Sequence, residues 1–122
     1  MPSDNVVEIR PHEQVLLIIV QRRSLDEAAT RKLADDVLAA AGQRPSVPVV
    51  LDLGAVRFAP SVALGMLVQL SKSFRLDGRR IAMVNVDPRV MGTIQITQLH
   101  TVLDIRSSLE EFTRDLSPPR AP

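Results

Sequence analysis

The sequence contains no cysteine, tryptophan or tyrosine, and these absences exclude several kinds of protein. Without cysteine, the 122-residue chain has neither disulfide bonds nor cysteine-ligated zinc, and it suits a reducing compartment. Three Phe are too few to supply the stacking platforms that hold single-stranded nucleic acid. The 15 Lys and Arg nearly balance the 14 Asp and Glu, whereas nucleic-acid-binding proteins cluster positive charge. We therefore expect no nucleic-acid partner.

Long hydrophobic runs are also lacking. The longest unbroken run, Val15 to Val20, has six residues, far short of the roughly twenty that a membrane-spanning helix needs. The first four residues show neither the basic start nor the apolar stretch of a signal peptide. The sequence thus predicts a cytoplasmic protein without membrane insertion. We expect one domain over residues 1–117 and a disordered, proline-rich tail over residues 118–122.

Residues suited to catalysis are sparse. His12 and His100 stand apart from any nucleophile or ligand-spaced carboxylate, and the five glycines are isolated from one another. The adjacent acidic pairs point about 100° apart on a helix, so none forms an acid/base pair. The sequence therefore predicts no enzyme, no cofactor and no metal site.

Apolar runs and helical stripes alternate along the chain in the order β-β-α-β-α-β-α-β-α. We expect helices near residues 25–41, 61–76, 88–98 and 108–116, and central strands near 47–53 and 80–86. A hairpin followed by alternating strands and helices gives a mixed sheet, parallel in its later part. The predicted fold is a single-domain α/β protein, with a mixed sheet of four to five strands flanked by about four helices.

Two helix starts carry distinct patterns. Ser24 and Glu27 have the spacing of a capping box, which predicts that Ser24 caps the first helix. The apolar stripe that follows predicts its buried face: Leu25, Ala28, Leu33, Val37, Leu38 and Ala41. Ser61 begins the second helix, where a serine is a favoured N-cap. A phosphoryl group at that position would also meet unpaired N–H groups and the positive end of the helix dipole. Cap and phosphoacceptor are both open interpretations of Ser61.

The segment from Val50 to Gly65, a strand, a bend and a helix start, reads VLDLGAVRFAPSVALG. It resembles the STAS family, the domain of sulphate transporters and bacterial anti-sigma factor antagonists, whose pattern is VVLDLSxVxFIDSSGLG. The resemblance extends over about residues 14–112, and it implies a STAS-like fold. In the antagonists, the first serine of the DSSG motif is phosphorylated by an anti-sigma kinase. The resemblance therefore implies that Ser61 is the phosphoacceptor, although Pro60, Val62 and Ala63 replace the family's Asp, Ser and Gly.

A strip on the second helix is predicted to bind a protein partner. Val62 and Met66 lie one turn apart, Gly65 and Gln69 fall beside them, and the strip is rotated away from the core residues Leu64 and Leu67. An exposed apolar pair beside a glycine is typical of a docking surface. The alternative is that Met66 packs under a neighbouring helix.

Together these features predict a regulatory binding module that resembles a bacterial anti-sigma factor antagonist. It would dock the start of its second helix onto an anti-sigma factor or serine protein kinase. Phosphorylation of Ser61 would control this partner switching and thereby transcription. The alternative function is a non-switching STAS scaffold, or an accessory subunit of a lipid-transporting ABC system, which would need no phosphoserine.

Overall fold

The computed structural model describes residues 5–116, and the elements follow the predicted order. The five strands are β1 (Val7–Arg10), β2 (Leu16–Val20), β3 (Val49–Asp52), β4 (Ile81–Val84) and β5 (Ile105–Arg106). The four helices are α1 (Glu27–Gln43), α2 (Ser61–Leu76), α3 (Pro88–Ile96) and α4 (Leu109–Leu116), with a 3₁₀ turn at Leu99–Thr101. The predicted tail at 118–122 lies outside the described residues.

The strands form one mixed sheet in the order β1-β2-β3-β4-β5. β1 pairs antiparallel with β2, and each later strand pairs in parallel with the strand before it. A helix connects every parallel pair, as such crossovers require. The predicted central strands are confirmed, because β3 and β4 each pair on both sides and Leu51 and Val84 are fully buried. The fold prediction of a mixed sheet with four helices is confirmed.

The two faces of the sheet are covered unequally. Side chains from α1, α2 and α3 pack with one face into the large core, which includes Leu33, Leu67 and Ile94. The other face holds a small core around Phe112 of α4, with Val15 and Val50 among its members. The helix that begins at Ser61 therefore belongs to the heavily covered face.

The first helix differs from prediction at its start and along its stripe. Asp26, not Ser24, is the N-cap, and its Oδ1 accepts a hydrogen bond of 2.8 Å from the Ala29 N–H. Ser24 instead forms a parallel bridge with Phe58, which holds it outside the helix. Ala28 is exposed and Leu38 is 49% exposed, so both assignments to the core were wrong. The buried face runs through Thr30, Leu33, Val37 and Ala41, whose spacing follows one side of the helix.

Arg79 fastens the end of α1 to the start of β4. Its Nε donates to the Val47 carbonyl at 2.6 Å, Nη1 to Ala41 at 2.9 Å and Nη2 to Arg44 at 2.6 Å. The Ala41 carbonyl lies in the last turn of α1 and also accepts from the Arg44 N–H at 3.3 Å, whereas the Arg44 carbonyl belongs to the C-cap residue that follows the helix. One guanidinium group therefore links the end of α1 to the loop before β3.

Candidate partner-binding site at the start of the second helix

The loop that leads into α2 is tied to the neighbouring strand by Asp52. This residue ends β3, and its Oδ1 accepts a hydrogen bond from the Gly54 N–H at 2.8 Å. Its Oδ2 accepts one from Asn85 Nδ2 at 3.1 Å, just beyond β4. Glycine fits position 54 because a Cβ there would lie 3.0 Å from Asp52 Oδ1. The carboxyl ends of the two central strands are thus held together.

A second link joins the same loop to the start of α3. Arg57 Nη1 donates to the Gly54 carbonyl at 2.7 Å and lies 3.4 Å from Asp87 Oδ2. The other carboxylate oxygen of Asp87 accepts from the Arg89 N–H at 2.9 Å and so caps α3. Both links position the backbone just before Ser61.

The approach to α2 also pairs with the approach to α1. The Leu25 N–H donates to the Phe58 carbonyl at 2.9 Å, and the Phe58 N–H donates to the Arg23 carbonyl at 3.0 Å. In this extended segment Val56 is fully buried, whereas the Phe58 side chain is 61% exposed. The fixed backbone therefore presents an aromatic ring to solvent four residues before Val62.

Of the two interpretations of Ser61, the one as N-cap of α2 is wrong. Pro60 occupies the N-cap position with extended backbone angles, φ −67° and ψ 165°, and no side chain accepts a hydrogen bond there. The Pro60 carbonyl accepts hydrogen bonds from the N–H groups of Ala63 and Leu64 at 2.9 and 3.1 Å. Ser61 is consequently the first residue inside the helix, and its side chain is exposed.

The predicted docking strip lies on the side of α2 away from the core. Val62 is 56% exposed, Gln69 is exposed and Met66 is half-buried. A Cβ built on Gly65 would meet no atom within 4 Å, so the surface there is open. The opposite side of this stretch is fully buried, and it consists of Ala63, Leu64 and Leu67. The structure thus brings Ser61 and the four predicted binding residues to one exposed face.

Sequence reasoning missed Phe58 as a surface residue. Val56 and Phe58 alternate as in an extended strand, a pattern that places both side chains on the same side. The backbone bonds to Arg23 and Leu25 end that alternation and turn the ring outward. The only available signal was the proximity of this aromatic residue to the helix start in the sequence.

Resolved pKa shifts occur in other parts of the molecule. Burial, together with the nearby positive charge of Arg44, lowers the pKa of Arg79. Hydrogen bonds from Arg106 lower the pKa of Asp115, and those from Ser107 lower the pKa of Glu111. Among residues 5–116, no three His, Asp or Glu side chains are grouped closely enough to hold a metal ion. Over the same residues, no helix combines the length and apolarity needed to span a membrane.

The family model of the STAS domain matches residues 6–112, which is most of the chain. The chain belongs to the STAS domain family. The match includes the whole sheet and the loop and helix start that carry Ser61. No curated protein sequence matches this STAS domain significantly.

Solved structures share the fold. An anti-sigma-factor antagonist (STAS) domain protein from Planctomyces limnophilus superposes with a TM-score of 0.76 at 24% identity, covering 91% of this chain and 97% of its own. The phosphorylated form of SpoIIAA, a Bacillus cell fate determinant, gives 0.64 at 14% identity, covering 91% and 99%. The murine anion transporter Slc26a9 gives 0.72 at 17% identity, covering 88% of this chain and 19% of the transporter. At these identities the likeness establishes the fold alone.

Proposed function

We propose that this STAS domain is a regulatory binding module of the anti-sigma factor antagonist type. It acts in the cytoplasm without catalysis, and it docks an anti-sigma factor or serine protein kinase at the start of α2. The observation that carries the proposal is the exposed face with Ser61 at its end and Val62 in its first turn. A partner that covers Val62 and Phe58 removes apolar surface from water, which favours association.

Ser61 is the proposed phosphoacceptor because its hydroxyl is accessible and lies at a helix start. No side chain caps this start, so a phosphoryl group would not have to displace an existing cap. The positive end of the helix dipole and the backbone N–H groups stabilise an added anion there. The same charge, about −1.5 to −2, opposes burial of the neighbouring apolar surface in an interface. Phosphorylation would therefore release the partner and leave the domain folded.

The first experiment locates the phosphate. The protein is incubated with ATP and its cognate serine kinase, and phosphopeptides are mapped by mass spectrometry. We expect phosphate on wild type and on Ser73→Ala, a control at an exposed serine of the same helix, and none on Ser61→Ala. Phosphate elsewhere on wild type would contradict the switch.

The second experiment tests the docking surface with the same partner. Val62→Lys and Leu76→Lys each add a lysine to α2 where the native apolar side chain is exposed, 56% and 89% respectively. We expect Val62→Lys to abolish binding, since the interface would bury an unpaired charge, and Leu76→Lys to bind like wild type. Ser61→Asp should weaken binding.

The outcomes separate the two functions considered for this chain. If Ser61→Asp impairs binding but wild type never gains phosphate, the domain is a constitutive binder. If Val62→Lys and Ser61→Asp both bind as tightly as wild type, the start of α2 is not the interface. That result would favour the alternative function, a non-switching scaffold or a transport accessory subunit.

A further inference from the structure

The edge of the sheet at β1 is open. β1 pairs with β2 on one side, and no strand within residues 5–116 pairs with its other side. An edge strand presents a row of N–H and C=O groups that another chain can pair with. The opposite edge strand, β5, has only two residues, whereas β1 has four. β1 therefore has the greater capacity to add a further strand to the sheet.

The backbone groups of Val7 and Ile9 point away from β2. In an antiparallel pair, every second residue exchanges hydrogen bonds with the residue opposite, and the residues between direct their N–H and C=O groups to the other side. The Gln21 N–H donates to the Val6 carbonyl at 2.7 Å, and these two residues lie opposite each other in the register of the hairpin. The even-numbered residues of β1 therefore bond to β2, and the odd-numbered residues face the open edge.

The face of β1 that lies under α1 is apolar. Val7 packs against the large core, and Ile9, on the same face two residues later, is 44% exposed. Both residues line a groove of about 300 Å³ between β1 and α1, which Ala39 and Ala40 also line. The small alanine side chains leave room beside Ile9 for an apolar side chain from a second strand.

The other face of β1 carries one charge of each sign. The side chains of Glu8 and Arg10 are both exposed, and Arg10 Nε donates to Glu8 Oε2 at 3.0 Å. Glu8 Oε1 accepts a longer hydrogen bond of 3.3 Å from Gln21 Nε2. The remaining N–H groups of the Arg10 guanidinium make no hydrogen bond within residues 5–116. A second carboxylate can therefore bind to the same guanidinium group.

These two charges distinguish the registers in which a second β1 strand could pair with the first. A two-fold axis through Glu8 places two carboxylates directly opposite each other, and an axis through Arg10 does the same with two guanidinium groups; like charges in such positions are destabilising. An axis through Val7 gives Glu8 no oppositely charged residue across the interface. An axis through Ile9 places each Glu8 opposite Arg10 of the other copy, and such pairs are stabilising. The charges of β1 are therefore self-complementary about Ile9.

We propose that the protein forms a symmetric dimer in which the β1 strands of two copies pair antiparallel about Ile9. The five strands of each copy then form one continuous sheet, and the Ile9 backbone groups of the two copies bond to each other. The two Ile9 side chains meet beside the groove under α1, which removes apolar surface from water. Because α2 connects β3 to β4, away from β1, both docking surfaces remain free in the dimer.

Sedimentation equilibrium over a range of protein concentrations measures the dimer, and charge reversal tests its interface. We expect wild type to form a dimer reversibly. Glu8→Arg and Arg10→Glu each place like charges opposite each other, so each should raise the dissociation constant of the dimer about tenfold or more. The double variant Glu8→Arg/Arg10→Glu exchanges the two charges and should dimerise as wild type does.

A mixture of the two single variants separates the interface from a loss of folding. Each variant alone repels itself, but the two have opposite charges on β1, so the mixture should form a heterodimer. Glu110→Arg and Arg114→Glu make the same charge changes at exposed residues of α4, and they should dimerise as wild type does. Thermal unfolding of each variant at low concentration verifies that it is folded. A folded mixture that stays monomeric would overturn the proposal.

Isotope-filtered NMR of mixed ¹³C-labelled and unlabelled wild type determines the register. Glu8 and Arg10 of the second copy form a non-hydrogen-bonded pair, whose Cα atoms are about 4.5 Å apart in antiparallel sheets. We therefore expect an intermolecular NOE between the α-protons of these two residues. A monomer at every concentration, a dimer that neither charge reversal weakens, or intermolecular NOEs from another surface would refute the β1 interface.

Discussion

The starts of α1 and α3 differ from the start of α2 in how they are stabilised. Asp26 and Asp87 each accept a hydrogen bond from a backbone N–H in the first turn of the helix that they cap. Pro60, at the corresponding position of α2, has no side-chain acceptor, and the first turn of α2 has no acidic residue. The helix that presents the proposed docking face therefore has the least local stabilisation at its start. Its buried face and the loop before it must hold it in place.

The buried face of α2 should give the largest effect. Leu67 is 1% exposed within the large core, so Leu67→Ala should cost about 2–5 kcal/mol by leaving a cavity. Gln69→Ala, on the exposed face of the same helix, should change the free energy of unfolding by less than about 0.5 kcal/mol. Urea denaturation measures both. Equal losses would mean that packing does not anchor this helix.

The cap of α3 should give the next largest effect. Asp87→Ala removes the hydrogen bond to the Arg89 N–H and the ion pair with Arg57, and it should cost about 1–2 kcal/mol. Asp26→Ala removes a cap alone and should cost about 1 kcal/mol. Thermal unfolding compares the two variants. If Asp87→Ala destabilises the protein no more than Asp26→Ala does, the ion pair between Asp87 and Arg57 contributes nothing to stability.

The start of α2 should gain stability from a side-chain acceptor. Pro60→Asp places a carboxylate at an N-cap position whose backbone angles already suit it. Pro60→Ala is the matched control, because both variants lose the rigidity of proline in the unfolded chain. We expect the Asp variant to be more stable than the Ala variant by about 1 kcal/mol in chemical denaturation. No difference would mean that this helix start cannot use a cap.

Ser61→Ala should have the smallest effect on stability. Because Ser61 lies inside the helix and makes no capping bond, its loss should change the free energy of unfolding by no more than about 0.5 kcal/mol. A loss near 1 kcal/mol in the same denaturation experiment would show that the hydroxyl caps the helix in solution.

The fold was predictable from sequence because periodicity reports burial over whole elements. The runs that became β3 and β4 are apolar enough to identify central strands, and the helices between them require parallel pairing. The ends of the helices were less predictable. Asp26 and Ser24 both have capping side chains, and only the bridge between Ser24 and Phe58 decides which one caps α1.

The candidate site was predictable in part. Helical spacing alone placed Val62 and Gln69 away from the core, and the structure has both exposed. The outward ring of Phe58 depends on backbone bonds to residues more than thirty positions earlier in the chain. Such long-range contacts leave no local pattern.

The strand order of the sheet has a consequence for how the protein forms. Each strand pairs with the strand before it in the chain, so no strand has to insert between two that are already paired. The sheet can therefore grow at one edge as the chain leaves the ribosome, starting from the β1–β2 hairpin. Each step closes a loop of only a few tens of residues, which keeps its entropic cost low. Synthesis and folding can proceed in the same direction.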